Sequence, residues 1–166
     1  MKSLIIYFSR KGNNYSTQGI KFIEVGNTEV IAKYIEEFTD GDLFEVETVK
    51  DYPADYMECT EVAQEEIDEN ARPELKKYLD DISEYDTIYV GCPNWWGRMP
   101  MAMYSLLERL DFTGKTIKPF VTHECGGMGS AERELKNLCE GAQIERGLSI
   151  RGSNVNNAKS LVKDWI

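Results

Sequence analysis

Three short stretches carry residues whose types and spacing suit the grip of an anionic, flat ligand. In the first, Ser9-Arg10-Lys11-Gly12-Asn13-Asn14 supplies a hydroxyl, two cations and side-chain amides, and Val25-Gly26-Asn27-Thr28 leads into a helical pattern. Asn27 and Thr28 are good N-cap types, and a helix start offers free backbone N–H groups at the positive end of its dipole. A phosphate is the natural occupant of such a place. In the second, Pro93-Asn94-Trp95-Trp96-Gly97 puts two adjacent indoles in a loop, where no core helix needs them. They suggest a stacking surface, with one ring facing a ligand and the other packing. In the third, Glu124-Cys125-Gly126-Gly127-Met128-Gly129 has glycines that let the backbone approach a flat ligand and offer N–H donors to its edge. Taken alone, that third stretch reads equally well as a flexible turn before a helix.

The elements around these stretches decide whether they can meet. Leu4-Ile5-Ile6-Tyr7-Phe8 is a short continuous apolar run, as in a strand buried on both faces. Val30, Ile31, Tyr34, Ile35 and Phe38 then fall on one helical face, and Leu43 to Glu47 alternates as an edge strand would. An acidic helix is expected from Glu58 to Asn70, and a further amphipathic helix through Leu75, Tyr78, Leu79 and Ile82. Thr87 to Val90 is a second buried strand, and Pro100 suits the first turn of the helix carrying Met103, Leu106, Leu107 and Leu110. Thr116 to Thr122 is the next strand, with Pro119 arguing for a local irregularity. A helix through Leu135 and Leu138, a strand near Ile144 to Ile150 and a last helix ending near Trp165 close the pattern. Such alternation implies an α/β fold, with a parallel sheet covered by helices on both faces. Its ligands sit at the carboxyl ends of the strands, which is where all three special loops fall.

Composition narrows the chemistry. A length of 166 residues suits a single domain, 1–166, with a sizeable core. The formal net charge of −10 leaves no basic face for nucleic acid; it would favour a partner protein with a basic face, while solubility alone is the plainer reading of the charge by itself. No stretch reaches membrane-span length, and Met1-Lys2-Ser3 runs straight into a strand, so a cytoplasmic protein is expected. Asn14-Tyr15-Ser16 is a glycosylation acceptor in form only, since it means nothing without secretion. Cys59, Cys92, Cys125 and Cys139 form no C-x-x-C pair and read as free thiols, and with His123 as the one histidine no metal site is expected.

Three competing motifs are weaker. Cys92 to Arg98 has the C-x5-R spacing of tyrosine phosphatases, but Pro93 lacks an N–H, two indoles crowd the ring and Met99 replaces the expected hydroxyl. Gly114-Lys115-Thr116 mimics the end of a Walker A loop, yet Arg109 occupies the first glycine's position and the motif precedes a strand. His123 could serve as a general base and Cys125 could be redox-active, while structural roles are the plainer expectation for both.

A phosphate end, a flat aromatic middle and a polar edge together describe flavin mononucleotide (FMN); no G-x-G-x-x-G follows a strand, so a dinucleotide fits poorly. The chain resembles the flavodoxin family in Tyr7-Phe8-Ser9-Arg10, Gly26-Asn27-Thr28, Pro93-Asn94-Trp95-Trp96-Gly97 and Thr122 to Gly129, with an extended first loop from Lys11 to Val25. The resemblance implies a doubly wound, five-stranded parallel sheet of order 2-1-3-4-5 and non-covalent FMN. It implies Ser9, Arg10, Gly26, Asn27 and Thr28 around the phosphate, with the 11–25 insert following Arg10. Pro93, Asn94, Trp95, Trp96 and Gly97 would meet the ribityl chain and one ring face, and Glu124, Cys125, Gly126 and Gly127 the ring edge. It implies an electron carrier, with an NAD(P)H-dependent quinone or nitro reductase as the alternative; the partner is then a redox protein or a small quinone-type acceptor. A backbone carbonyl near Gly97 or Gly127 is a candidate acceptor for a reduced ring nitrogen.

Overall fold

The computed structural model describes residues 2–166. Strand β1 (Ser3–Tyr7) leads to a hairpin, β2 (Gly12–Ser16) and β3 (Gly19–Ile23), and then to helix α1 (Asn27–Thr39). There follow β4 (Asp42–Glu45), α2 (Tyr56–Asp68), β5 (Thr87–Pro93), α3 (Met101–Leu107), β6 (Thr116–His123) and α4 (Ala131–Leu138). The chain ends with β7 (Gln143–Ile144), β8 (Leu148–Arg151), a 3-10 turn (Gly152–Asn157) and α5 (Lys159–Trp165).

The main sheet is parallel throughout, in the order β4-β1-β5-β6-β7, with β8 also paired to β6. Alternation along the buried strands divides the core in two. Leu4, Ile6, Ile88, Val90 and Val121 point to the side covered by Met103 and Leu106 of α3 and Leu135 of α4. Ile5, Tyr7, Tyr89 and Phe120 point to the side covered by Ile31 and Ile35 of α1 and Val162 of α5. Helices therefore lie on both faces, and the carboxyl ends of β1, β5 and β6 share one rim.

Four expectations need correction. The sheet has six strands instead of five, because the strand expected from Ile144 to Ile150 is broken into β7 and β8. The break is opposite Pro119: β7 pairs with Thr116 and Ile117, β8 pairs with Phe120 to His123, and the residue with no N–H to donate falls between. The 11–25 insert is a β-hairpin of its own, β2 antiparallel to β3, which joins no other sheet. Leu75 to Ile82 forms no helix; Leu75 bridges Thr48, the Val49 N–H donates to Glu74 O and the Lys76 N–H to Glu47 O. Leu75 and Ile82 still enter the core, so pairing with the 47–49 segment has overridden a helical period without changing which residues are buried. Finally, the N-cap of α1 is Gly26, and neither Asn27 nor Thr28 holds that place. Gly26 has no side chain to cap with, so the hydroxyl of Ser9 accepts the Glu29 N–H at 3.1 Å from outside the helix.

Candidate cofactor site

Backbone hydrogen bonds between strands set the rim. The Phe8 N–H donates to Gly91 O at 3.0 Å and the Asn94 N–H to Thr122 O at 2.9 Å, which aligns the exits of β1, β5 and β6. Between those exits and the start of α1 lies a cavity of about 270 Å³. Its floor joins Asn27 and Thr28 to Thr122, with the Thr28 and Thr122 hydroxyls 2.8 Å apart and buried. Pro93, Asn94 and Trp95 line it from the loop after β5, and His123, Glu124, Cys125 and Gly126 from the end of β6 and the loop after it. Arg10, Asn14 and Tyr15 from the insert and Tyr56 at the start of α2 complete it.

Of the site residues read from the sequence, Arg10, Asn27, Thr28, Pro93, Asn94, Trp95, Glu124, Cys125 and Gly126 thus line one cavity. Five others stand off it. Ser9 lines a neighbouring hollow, and its hydroxyl accepts the Glu29 N–H at the start of α1. Gly26 lies under the cavity as the helix cap, where a Cβ would come within 2.0 Å of Ser9 Oγ. Trp96 is 57% exposed and lies along α2, its indole N–H donating to Thr60 O at 2.9 Å. The Gly97 carbonyl takes the Ser130 N–H at 2.9 Å, and the Gly127 carbonyl takes the Asn94 amide at 3.0 Å. Both carbonyls suggested as acceptors for a ring nitrogen therefore already have donors. Arg10 lines the cavity while its guanidinium is tied to Asn13, Pro53 and Ala54 carbonyls, so it staples the hairpin to the 53–54 turn.

Sequence reading missed Asn14, Tyr15, Tyr56 and Thr122. Thr122 could have been found, since it ends a strand whose exit was already suspect. Tyr15 and Tyr56, with ring centroids 6.2 Å apart, come together only through the hairpin, which no local pattern announced.

The site suits a flat, phosphate-bearing group on three observations. The first α-helical bond of α1 is Val30 N–H to Gly26 O, so the N–H groups of Asn27 and Thr28 precede any intrahelical acceptor. Trp95, Tyr15 and Tyr56 supply aromatic walls. His123 Nδ1 and Glu124 Oε2 are buried with no protein partner, a costly state unless a ligand's polar groups complete them. No group of His, Cys, Asp and Glu that could hold a metal occurs among the described residues. Nor, among them, is any helix long and apolar enough to cross a membrane.

Charges around the cavity follow from burial. Burial raises the Glu124 carboxyl, against a smaller opposing pull from the Ser153 backbone and Arg151. His123 lies below its ordinary value of 6.5, first through burial and then through Arg151. The unfolded chain therefore takes up the His123 proton before the folded one does. Stability from this group is complete above 6.5 and is lost as pH falls toward the lowered value. Melting curves between about pH 7 and 5.5 should show His123→Gln losing part of the wild-type decline. Parallel curves for the two proteins would refute the burial of a neutral imidazole.

The C-x5-R reading finds no support in this geometry. Cys92 is fully enclosed in the core, and burial and then Glu134 push its thiol far above the ordinary range. The Arg98 guanidinium donates to the Tyr104 hydroxyl at 3.0 Å and faces Glu134 at 3.4 Å, so neither nucleophile nor anion clamp is available.

A family model described as Flavodoxin matches residues 19–166. A solved structure assigned as a flavoprotein, from Bacteroides uniformis, is 32% identical, with 98% of this chain and 97% of that one covered and a TM-score of 0.74. A flavoprotein from Lactobacillus acidophilus, solved in complex with FMN, is 23% identical over 99% and 97% of the two chains, with a TM-score of 0.64. Oxidised flavodoxin 2 from Bacillus cereus is 19% identical over the whole of both chains, with a TM-score of 0.54. No curated protein matches the chain.

Proposed function

Because the chain belongs to the flavodoxin family, we propose that it binds FMN non-covalently in the 270 Å³ cavity and serves as an electron carrier. The observation that carries this is the meeting of the α1 start, Trp95 and the 122–126 run around one cavity. The relative from Lactobacillus acidophilus, with FMN bound, supports it. FMN supplies reversible uptake of one or two electrons when bound. The protein's part is to hold and shield it. The free N–H groups of Asn27 and Thr28 take the phosphate, Trp95, Tyr15 and Tyr56 flank the ring, and Glu124 accepts from a ligand hydroxyl. His123 offers its unpartnered nitrogen, and Gly126 lets the third loop lie close.

The net charge of −10 draws a redox protein with a basic face, and Glu58, Glu61 and Glu65 are exposed on α2, whose first residue, Tyr56, lines the cavity. One observation favours the reductase reading: an apolar slot of about 180 Å³, between Cys59 and Ala63 of α2 and the Trp95-Trp96 pair, opens beside the cavity and could seat a small planar acceptor. Titration of the purified chain with FMN should quench flavin fluorescence at one-to-one stoichiometry with a Kd of about 1 µM or below. Absence of saturable quenching would overturn FMN binding. Stopped-flow mixing of the loaded protein with NADPH or NADH should show only slow bleaching; rapid bleaching followed by turnover of a quinone would replace the carrier with the reductase.

A further inference from the structure

The loop that carries Trp95 has a shape its own residues do not favour. Trp95 and Arg98 close a tight turn by mutual backbone hydrogen bonds of 3.0 and 3.2 Å. Both central residues are left-handed, Trp96 at φ 58° and Gly97 at φ 78°. Glycine adopts this readily; a tryptophan rarely does, so something outside the turn must hold it.

Behind the loop, on α4, stands Glu134, with only 8% of its surface exposed. Its Oε2 accepts the Met99 N–H at 3.1 Å and lies 2.9 Å from the Ser130 hydroxyl. Its Oε1 accepts from the Tyr104 hydroxyl and faces Arg98 Nη2 at 3.4 Å. Ser130 reaches forward in turn: its N–H donates to Gly97 O at 2.9 Å, and its hydroxyl, 3.2 Å from the same carbonyl, can serve either Gly97 or Glu134. Asn94 closes the arrangement from the other side. Its Oδ1 accepts the Gly97 N–H at 2.8 Å while its amide holds Gly127 O. Neither Glu134 nor Ser130 lines the cavity.

We propose that Glu134 is a positioning residue for the cofactor site: acting through Ser130, Met99 and Arg98, it holds the 94–99 loop in the one shape that presents Trp95 and Asn94 to the cavity. This rests on the FMN reading above. The partners of the carboxylate are Met99 and Arg98 of the loop, Tyr104 of α3 directly after it, and Ser130, whose N–H holds the loop's Gly97 carbonyl. Removing it strips the Met99 N–H of its acceptor and Arg98, whose Nε is buried without a partner, of the carboxylate it faces. The loop, more than the core, feels the loss.

The test uses the full chain, with FMN affinity and hydrogen exchange of the Met99 amide as readouts. Glu134→Ala should weaken FMN about 20-fold and release the Met99 amide to fast exchange, whereas Ser130→Ala should weaken it about fivefold. The double variant should be no worse than Glu134→Ala, since both act along one path. Glu134→Gln should fall between wild type and Ala, because one oxygen remains for the Met99 amide and the Tyr104 hydroxyl can turn to accept. Should Glu134→Ala fail to fold, Ser130→Ala decides by FMN affinity alone, since it leaves the Met99 N–H on Glu134, and wild-type affinity in it then overturns the proposal. Wild-type affinity and wild-type Met99 protection in a folded variant overturn the proposal. A wild-type chain that binds no FMN overturns the reading beneath it instead, and Met99 exchange tells the two failures apart.

Discussion

Gly26→Ala is expected to abolish useful FMN binding, with the Kd rising about 100-fold, and to cost the fold roughly 2–3 kcal/mol. The backbone at Gly26 is ordinary, φ −62° and ψ 148°, so conformational freedom is not what demands glycine here. Space is. A Cβ would lie 2.0 Å from Ser9 Oγ and 2.8 Å from Arg10 O. The hydroxyl could swing away, at the cost of the cap it provides to the Glu29 N–H, about 1 kcal/mol. The Arg10 carbonyl is backbone and cannot, so the β1 exit and the α1 start must separate. They are the two halves of the proposed anion site, and a shift of less than 1 Å displaces the Asn27 and Thr28 N–H groups from where a phosphate would sit.

Two companion variants make the argument checkable. Ser9→Ala alone should cost only the cap, leaving FMN affinity within about threefold of wild type, because Ser9 serves the helix and not the cavity. Adding Ser9→Gly to Gly26→Ala removes the closer clash but not the Arg10 one, so it should recover part of the stability and little of the affinity. Thermal melts beside fluorescence titrations separate these outcomes. Full recovery of binding in the double variant would mean that the hydroxyl, and not the backbone, sets the spacing.

The architecture was legible in the sequence wherever local pattern and tertiary role agree. The apolar run at residues 4–8 and the strand at 87–90 are buried on both faces, and their composition says so. The three loops were legible because strand exits in such a sheet are where ligands gather, and their residues made little sense as core. What failed depended on partners far along the chain. Leu75 to Ile82 has a helix's period, but Thr48 and Glu47 offer it backbone hydrogen bonds that a helix would forgo. The 12–23 hairpin has a turn at Thr17-Gln18 with none of the Asn-Gly or Asp-Gly chemistry that announces one, and it is held from outside by Arg10 on the 53–54 carbonyls. Tyr15 and Asn14 reach the cavity from that hairpin, held by the staple, by the Asn14 amide on Arg10 O and by the Tyr15–Tyr56 contact. Ser9 is the subtler case: a hydroxyl at a strand exit suits a phosphate and a helix N–H equally well, and here it accepts the Glu29 N–H.

The paired tryptophans give the second large effect, and they give it unequally. Trp95 meets Phe8 and Tyr52 edge-on, at centroid distances of 5.1 Å each with interplanar angles of 83° and 85°, and it also lines the cavity. Its edge contacts fix the indole plane from behind, so the face left toward the cavity is pre-oriented and little rotamer freedom is lost when a ring stacks on it. Trp95→Ala should therefore remove about 1–3 kcal/mol of stacking, a loss of roughly 10- to 100-fold in FMN affinity, together with about 2–4 kcal/mol of stability. Trp96 is spread on α2 by its bond to Thr60 O and is mostly exposed. Trp96→Ala should change FMN affinity by less than about threefold and stability by under about 1 kcal/mol. The comparison also tests how the loop works, since Trp96 takes the left-handed conformation that lets its neighbour face inward. Trp96→Gly relieves that conformation, so it should match or exceed wild-type stability less the lost bond to Thr60, with affinity retained. A Trp96→Gly chain that loses FMN as badly as Trp95→Ala would show that the second indole, and not the first, is the one the ligand meets.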